Sequence, residues 1–194
     1  ESGTESLEPV RLRDVLEQEA RTAARLAGRD GAVGLALRCP RSLLVPAIPE
    51  ALARVVRNLL LNALHATPDG ASVRIRAERS ADGGALVVIE DEGKGMSARE
   101  MRALFTEART GGRGSGCGTL STLAGVERLG GVLEVESAPG QGTAVRLTLA
   151  GAPEDAAGAL LVVARDPRRR ARLAALARRD GARACTTKDA ARAR

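Results

Sequence analysis

Aromatic side chains are almost absent: in 194 residues there is one Phe, Phe105, and neither Trp nor Tyr. The core must therefore be packed from Leu, Val, Ile and Ala, and the aromatic platforms on which single-stranded nucleic acids stack are missing. Cysteine is scarce. Cys39, Cys117 and Cys185 are far apart, odd in number and in no metal-ligand spacing, which fits a reducing compartment and no disulfide framework. No apolar run approaches the roughly 20 residues that span a bilayer, and no signal peptide opens the chain. The expected location is cytoplasmic, with room for a membrane anchor elsewhere in a longer parent. Histidine is limited to His65.

What is present is a chain that is 44% hydrophobic, enough for one good-sized domain and part of a second. The net charge of +6 is unevenly placed: residues 151–194 hold 11 basic and 5 acidic side chains, whereas residues 1–150 hold 19 of each. An arginine-rich solvated helix face accounts for this excess, and a nucleic-acid partner is disfavoured without aromatics or a known motif.

Residues 10–28 carry a helical apolar period at 12, 15, 16, 23 and 26, ended by Gly28. Residues 33–38 and 42–46 read as short strands. Residues 49–70 form a strong helix that opens at Pro49 and stops at Pro68-Asp69-Gly70. Residues 72–78 and 85–90 are strands around the turn ADGG, 97–105 is a short helix, and a further helix runs to about Leu129. Residues 132–137 and 143–149 then flank a second hairpin, Ala138 to Gly142. The order implies a two-layer α/β (α+β) sandwich, a mixed and largely antiparallel sheet covered on one face by helices. Residues 151–158 read as a linker.

Gly112, Gly114, Gly116 and Gly118 make a ladder that opens onto a helix. Glycine lets backbone N–H groups approach an anion, and a helix start adds free donors. Yet Thr119 stands where G-x-G-x-x-G needs a third glycine, and no Lys follows for a P-loop. The ladder is either a surface loop or a lid of another kind. On the 49–70 helix, Asn58, Asn62 and His65 fall at i, i+4 and i+7, on one stripe. Buried amides need partners, so this stripe faces solvent or a polar ligand. In IEDEGKGM, Asp91 ends a buried-looking strand before Gly93 and Gly95. A carboxylate there accepts from an exocyclic amine; adenine offers that donor at N6, where guanine presents an acceptor. An acidic turn that merely closes a strand is the equal alternative.

NLLLNALHA, DEGKG and GSGCG with a following GG, in this order, resemble the N, G1 and G2 boxes of sensor histidine kinases, within the superfamily of gyrase, heat-shock chaperone and mismatch-repair ATPases. ESAPGQGTAVRLTL is similar to the family's closing hairpin. The resemblance covers residues 8 to 150 and implies the Bergerat-type ATP-binding fold, a catalytic domain over 1–150 with an incoming helix over 1–31. It implies ATP and Mg²⁺ as cofactors. Asn62 would hold Mg²⁺, with Asn58 supporting metal or phosphates and His65 lining the site. Asp91 would read adenine beside Gly93, Gly95, Met96 and Thr143. Arg113, Gly114, Ser115, Gly116, Cys117, Gly118 and Thr119 would form the lid over the triphosphate.

Some positions depart from the family pattern. Ala108 stands for a second aromatic after Phe105, Thr119 replaces an apolar anchor, and the stretch from Met96 to Gly114 is short. Hydrolysing relatives carry Glu where Asn58 stands, and an amide cannot serve as general base. This favours phosphoryl transfer to another acceptor. That acceptor is expected on a helical dimerisation domain outside this chain, because His65 lacks the H-E/D context. Expected partners are that domain, a cognate response regulator and, in the parent, a second copy; no membrane contact is expected of this stretch. A protein-serine kinase of the anti-sigma type and a nucleotide-binding scaffold without activity are the alternatives. Residues 159–194 resemble the start of a receiver domain, giving a possible hybrid kinase, but Ala164 and Arg165 stand where its acidic pair belongs.

Overall fold

The computed structural model describes residues 7–80, 84–102, 116–149, 159–160, 183–184 and 186–187. Its elements are β1 (Glu8–Arg11), α1 (Leu12–Leu26), β2 (Gly34–Arg38), β3 (Leu44–Ala47), α2 (Pro49–Ala66), β4 (Ser72–Arg79) and β5 (Ala85–Asp91). After them come α3 (Gly116–Arg128), β6 (Val132–Ser137), β7 (Thr143–Leu149) and the two-residue strands β8 (Ala159–Leu160), β9 (Arg183–Ala184) and β10 (Thr186–Thr187). A helical turn at 98–102 starts on a capping box: Ser97 Oγ accepts from the Glu100 N–H and the Glu100 carboxylate accepts from the Ser97 N–H.

The helices end where their sequences say. Gly28 and Gly130, both at positive φ, close α1 and α3 with the same motif. At the first, Arg29 N–H donates to Ala24 O and Gly28 N–H to Arg25 O; at the second, Gly131 N–H donates to Val126 O and Gly130 N–H to Glu127 O. Pro49 sits in the first turn of α2, and Thr67 caps its end through Ala63 O before Pro68 stops it.

Six strands form the main sheet in the order β10-β6-β7-β5-β4-β2. The pairs β6·β7, β7·β5 and β5·β4 are antiparallel, and β4·β2 is parallel. Alternation along β4 and β5 turns Val73, Ile75, Val87 and Ile89 to one face, where they meet Leu52, Val55, Val56 and Leu60 of α2 and Leu12 and Leu16 of α1 in one aliphatic core. Each such side chain contributes about 1.5–3 kcal/mol on burial. The opposite face is solvated and laced by ion pairs of Arg74 and Arg76 with Glu90, Arg74 with Glu92, and Arg146 with Glu136. The fold is the expected mixed, largely antiparallel sheet with helices on one face.

Three details differ from expectation. Residues 10 and 11 belong to β1, which pairs antiparallel with β3 in a separate two-stranded sheet, so α1 begins at Leu12. Leu26, read as part of the α1 stripe, is 65% exposed, because the chain is already leaving the core through the Gly28 turn. Gly116 to Thr119 are already helical, so half of the glycine ladder belongs to α3. Of the C-terminal segment, the described residues are the parallel pair β8·β9 and β10, which adds parallel to β6; Ala164 and Arg165 lie outside them. No helix among the described residues is long and apolar enough to cross a membrane.

Helix α1 is fastened to α2 by Glu19, 1% exposed, which receives two hydrogen bonds from Arg57 at 2.6 and 3.1 Å. Replacing Arg57 with Ala leaves a buried carboxylate unpaired. The Arg57 side chain is 39% exposed, so the expected loss is about 1–2 kcal/mol, below the value for an enclosed pair. Glu19→Gln in the Arg57→Ala background should restore part of it in a urea melt, since the buried charge is then gone.

Candidate functional site

The strand register builds the first wall. Asp91 ends β5 directly opposite Thr143 at the start of β7, and Thr143 lies opposite Ser137 at the end of β6. Opposed residues share a face, so Asp91, Thr143 and Ser137 form the last row of the helix-covered face, beyond Ile89, Val145 and Val135. Asp91 is 8% exposed. Its Oδ1 accepts from the N–H of Gly93 at 2.9 Å and of Thr143 at 3.2 Å. Burial pushes the Asp91 carboxyl above its ordinary value, against the pull of these two N–H groups and of the Thr143 hydroxyl. With both backbone donors on Oδ1, this is a desolvated acceptor of the sort that reads an amine on a flat ring.

The loop after Asp91 is held between α2 and the β6–β7 hairpin. A Cβ on Gly93 would stand 2.5 Å from the Ala66 carbonyl oxygen at the end of α2. Gly95 is at φ +64°, and a Cβ there would overlap the Ala138 carbonyl. On the hairpin side, a Cβ on Gly142, at φ +68°, would overlap the Asp91 carbonyl. Gly140 N–H donates to Lys94 O at 2.7 Å. Backbone meeting backbone already requires glycine at these positions.

The second wall follows from helix directions. Gly125 of α3 lies against Val55 of α2, where a Cβ would meet Val55 Cγ2 at 2.5 Å. The C-terminal end of α3 leads through Gly131 to Thr148, at the far end of β7 from Thr143, while the C-terminal end of α2 reaches Gly93 beside Asp91. The helices are therefore antiparallel, and the first turn of α3 lies at the Asp91 end. At about 1.5 Å per residue, Gly116 comes roughly level with the last turns of α2. Asn62 follows Val55 by seven residues and so keeps nearly its direction, towards α3. Asn62 and His65 are exposed and Asn58 is half-buried. The first-turn N–H groups of α3 have no intrahelical acceptor and carry the positive end of the helix dipole.

Residues 91–96 and 137–143 are thus joined at one end of the sheet, and the directions of α2 and α3 put 58–65 and 116–119 towards the same end. Arg113, Gly114 and Ser115, with Phe105 and Ala108, lie outside the described residues. A surface depression of about 360 Å³ bounded by Asp14, Glu17 and Arg21 lies along α1 instead. It is a groove between charged side chains of a solvated face, with none of the polar groups gathered at Asp91.

The profile of the family described as histidine kinase-, DNA gyrase B-, and HSP90-like ATPase matches residues 47–153. The chain belongs to this family. Its relatives include the sensor histidine kinase ZraS of Klebsiella oxytoca, 36% identical over 101 residues, covering 50% of this chain and 21% of that protein. Sensor protein EvgS of Escherichia coli is 31% identical over 161 residues, covering 77% of this chain and 13% of EvgS. The solved structure of the mycobacterial sensor histidine kinase MprB superposes with a TM-score of 0.60 at 27% identity, covering 76% of this chain and 99% of that one. The chain spans about a fifth of the length of ZraS. It contains an ATPase-type domain homologous to those of sensor histidine kinases.

In this ATPase-family domain the residues present suit a nucleotide. Asp91 is a buried acceptor of the kind a base amine would need, and a helix start such as that of α3 would suit a phosphate. No group of three or more His, Cys, Asp or Glu that could hold a metal occurs among the described residues. A single amide oxygen such as that of Asn62 suits Mg²⁺ that arrives with phosphates and keeps several waters.

Ser137 was missed in the sequence. The signal was available: in VLEVES the inward positions are Leu133, Val135 and Ser137, so a hydroxyl stands where the alternation asks for an apolar side chain.

Proposed function

We propose that this chain is the ATP-binding catalytic part of a sensor histidine kinase. In this reading it holds Mg·ATP and presents the γ-phosphoryl group to a histidine on a helical dimerisation domain of the parent, for passage to a cognate response regulator. The observation that carries the reading is the Asp91–Thr143–Ser137 row standing across from the Asn62 stripe and the start of α3. Asp91 would accept from the adenine amine, Thr143 would stand beside it, and Asn62 would ligate Mg²⁺. The first turn of α3 would meet the phosphates. Transfer breaks the bond between the γ-phosphorus and its bridging oxygen and forms one to an imidazole nitrogen. The protein contributes mainly position and charge. Asn58 cannot activate water, which favours transfer over hydrolysis.

With γ-labelled ATP the chain alone should stay unlabelled. A kinase dimerisation domain added in trans should gain an acid-labile label on its histidine. Label on His65, or steady phosphate release, would overturn the reading, and acid-stable label on an added protein would favour the serine-kinase alternative. Asn62→Ala should abolish the Mg²⁺ dependence of ATP binding with the melting temperature unchanged. If Mg²⁺ strengthens ATP binding equally in parent and variant, calorimetry removes Asn62 from the metal.

The reading of 159–194 as a receiver-like segment of a hybrid parent is supported by the parallel pairing of β8 with β9, since parallel neighbours require a crossover connection. With Arg165 in the place of an acidic ligand, this segment should take no label from acetyl phosphate.

A further inference from the structure

We propose that Arg29 is a positioning residue for the base side of this site: it pegs the C-terminal end of α2, against which the loop after Asp91 is set. The inference rests on the nucleotide-site reading above and adds to it a residue that touches no ligand. Arg29 follows the Gly28 turn that closes α1, and its own backbone is held on both sides. Its N–H donates to Ala24 O at 2.9 Å, and its carbonyl accepts from the N–H of Ala32 at 3.0 Å and of Val33 at 3.3 Å. From this fixed root the guanidinium reaches a segment 38 residues along the chain. Nη2 donates to Thr67 O at 2.7 Å, and Nη1 pairs with Asp69.

Thr67 is the residue on which α2 ends. Carbonyls at a helix C-terminus lack intrahelical donors and carry the negative end of the dipole, so a guanidinium suits them. One peptide back, Ala66 O is the atom that a Cβ on Gly93 would meet at 2.5 Å. Gly93 N–H is in turn one of the two backbone donors on Asp91 Oδ1. The rest of the turn is bonded on both flanks as well. On the α1 side, Gly70 N–H donates to Ala32 O and Gly34 N–H to Ala71 O. On the Asp91 side, Ser72 N–H donates to the Glu92 carboxylate and Glu92 N–H to Ser72 O. Residues 66–72 thus lie between the end of α1 and the loop after Asp91 and are bonded to both.

The hairpin side of that loop has its own ties. Met96 N–H donates to Ser137 Oγ at 2.8 Å, and Ser137 Oγ lies 3.1 Å from Thr143 Oγ1. With the hairpin side tied, the slot beside Asp91 is set by where Ala66 stands. Backbone meets backbone there, and Gly93 has no side chain to take up a shift, so a small movement of the end of α2 is passed on. Of the two Arg29 contacts, the one to Thr67 O carries the effect. The Asp69 side chain is 73% exposed, and an ion pair to such a carboxylate adds little. Without the guanidinium the last turn of α2 is free to fray, as helix ends do, and the Gly93 N–H is no longer aimed at Asp91.

The test uses the whole chain and calorimetry with ADP at neutral pH. Arg29→Met keeps the stem and removes the donors, and it should bind ADP about fivefold more weakly. In an Asp91→Asn background the same change should cost nothing further, because Arg29 acts through that carboxylate. A loss arising elsewhere in the site would instead add in full. Arg57→Ala, which loosens α1 from the middle of α2, is the control: it should melt earlier and bind ADP like the parent. If Arg29→Met does not fold in a thermal melt, Arg29→Lys, which gives up the planar fork, replaces it with the same expectations. Parent-like ADP affinity at position 29, a loss that adds to that of Asp91→Asn, or an equal loss in Arg57→Ala would each overturn the proposal. Asp91→Asn alone separates the two levels: parent-like ADP affinity in that variant means that the site reading itself fails.

Discussion

Asp91→Asn is expected to weaken ATP and ADP alike by about 2 kcal/mol, roughly thirtyfold, because the amide sets an N–H against the base amine in a buried slot. The effect should be equal for the two nucleotides, since Asp91 lies in the sheet row and not at the start of α3 where phosphates would sit. Calorimetry at neutral pH measures it, and unchanged affinity would take Asp91 out of the site. Stability should move the other way. Burial raises the Asp91 pKa in the folded chain, so the folded state holds the proton more tightly than the unfolded one. The favourable contribution is present below the ordinary carboxylate value, about 4, and is lost as pH rises through the folded pKa. Asn keeps an oxygen for the Gly93 and Thr143 N–H groups and carries no charge. The variant should therefore gain on the parent in melting temperature as pH rises from about 4 to 7. Comparing the two proteins also cancels the opposite behaviour of Glu92, whose pKa is lowered by Ser72 and Arg74. A constant difference across that range would show that Asp91 is not desolvated.

Gly95→Ala should be the most destabilising single change near the site, on the order of 3–5 kcal/mol in a denaturant melt. Two costs add. A left-handed backbone costs an ordinary residue about 1–2 kcal/mol, and Gly95 is at φ +64°. Its new Cβ would also overlap the Ala138 carbonyl, a backbone atom that cannot step aside without moving the hairpin. Gly140→Ala is the internal control. Gly140 is at φ +72° with nothing within 4 Å of the added Cβ, so it should cost only the backbone term, about 1 kcal/mol. Equal losses in the two variants would mean that the loop after Asp91 is not pinned against the β6–β7 hairpin. Folded Gly95→Ala should also bind nucleotide poorly, because Met96, and through it Ser137, shifts with the loop.

The sequence by itself determined what depends on local chemistry. Pro49 and the Pro68-Asp69-Gly70 turn marked α2, Gly28 marked the end of α1, and alternation marked the strands β4 to β7. The same alternation turned Asp91 inward with Val87 and Ile89, and the helical period put Asn58, Asn62 and His65 on one stripe. Partnership between distant segments was decided only in three dimensions. The parallel pairing of Gly34 with Ser72, the pairing of Glu8 with Ala47 and the fastening of Glu19 to Arg57 join residues about 40 apart in the chain. The antiparallel run of α3 against α2 and the place of Ser137 between Met96 and Thr143 are of the same kind. A repeat of 2 or 3.6 residues tells which face of an element is apolar. It says nothing of which other apolar face covers it, because hydrophobic burial is non-directional. That choice falls to close packing, to strand register and to which backbones can approach at Gly93, Gly95, Gly125 and Gly142.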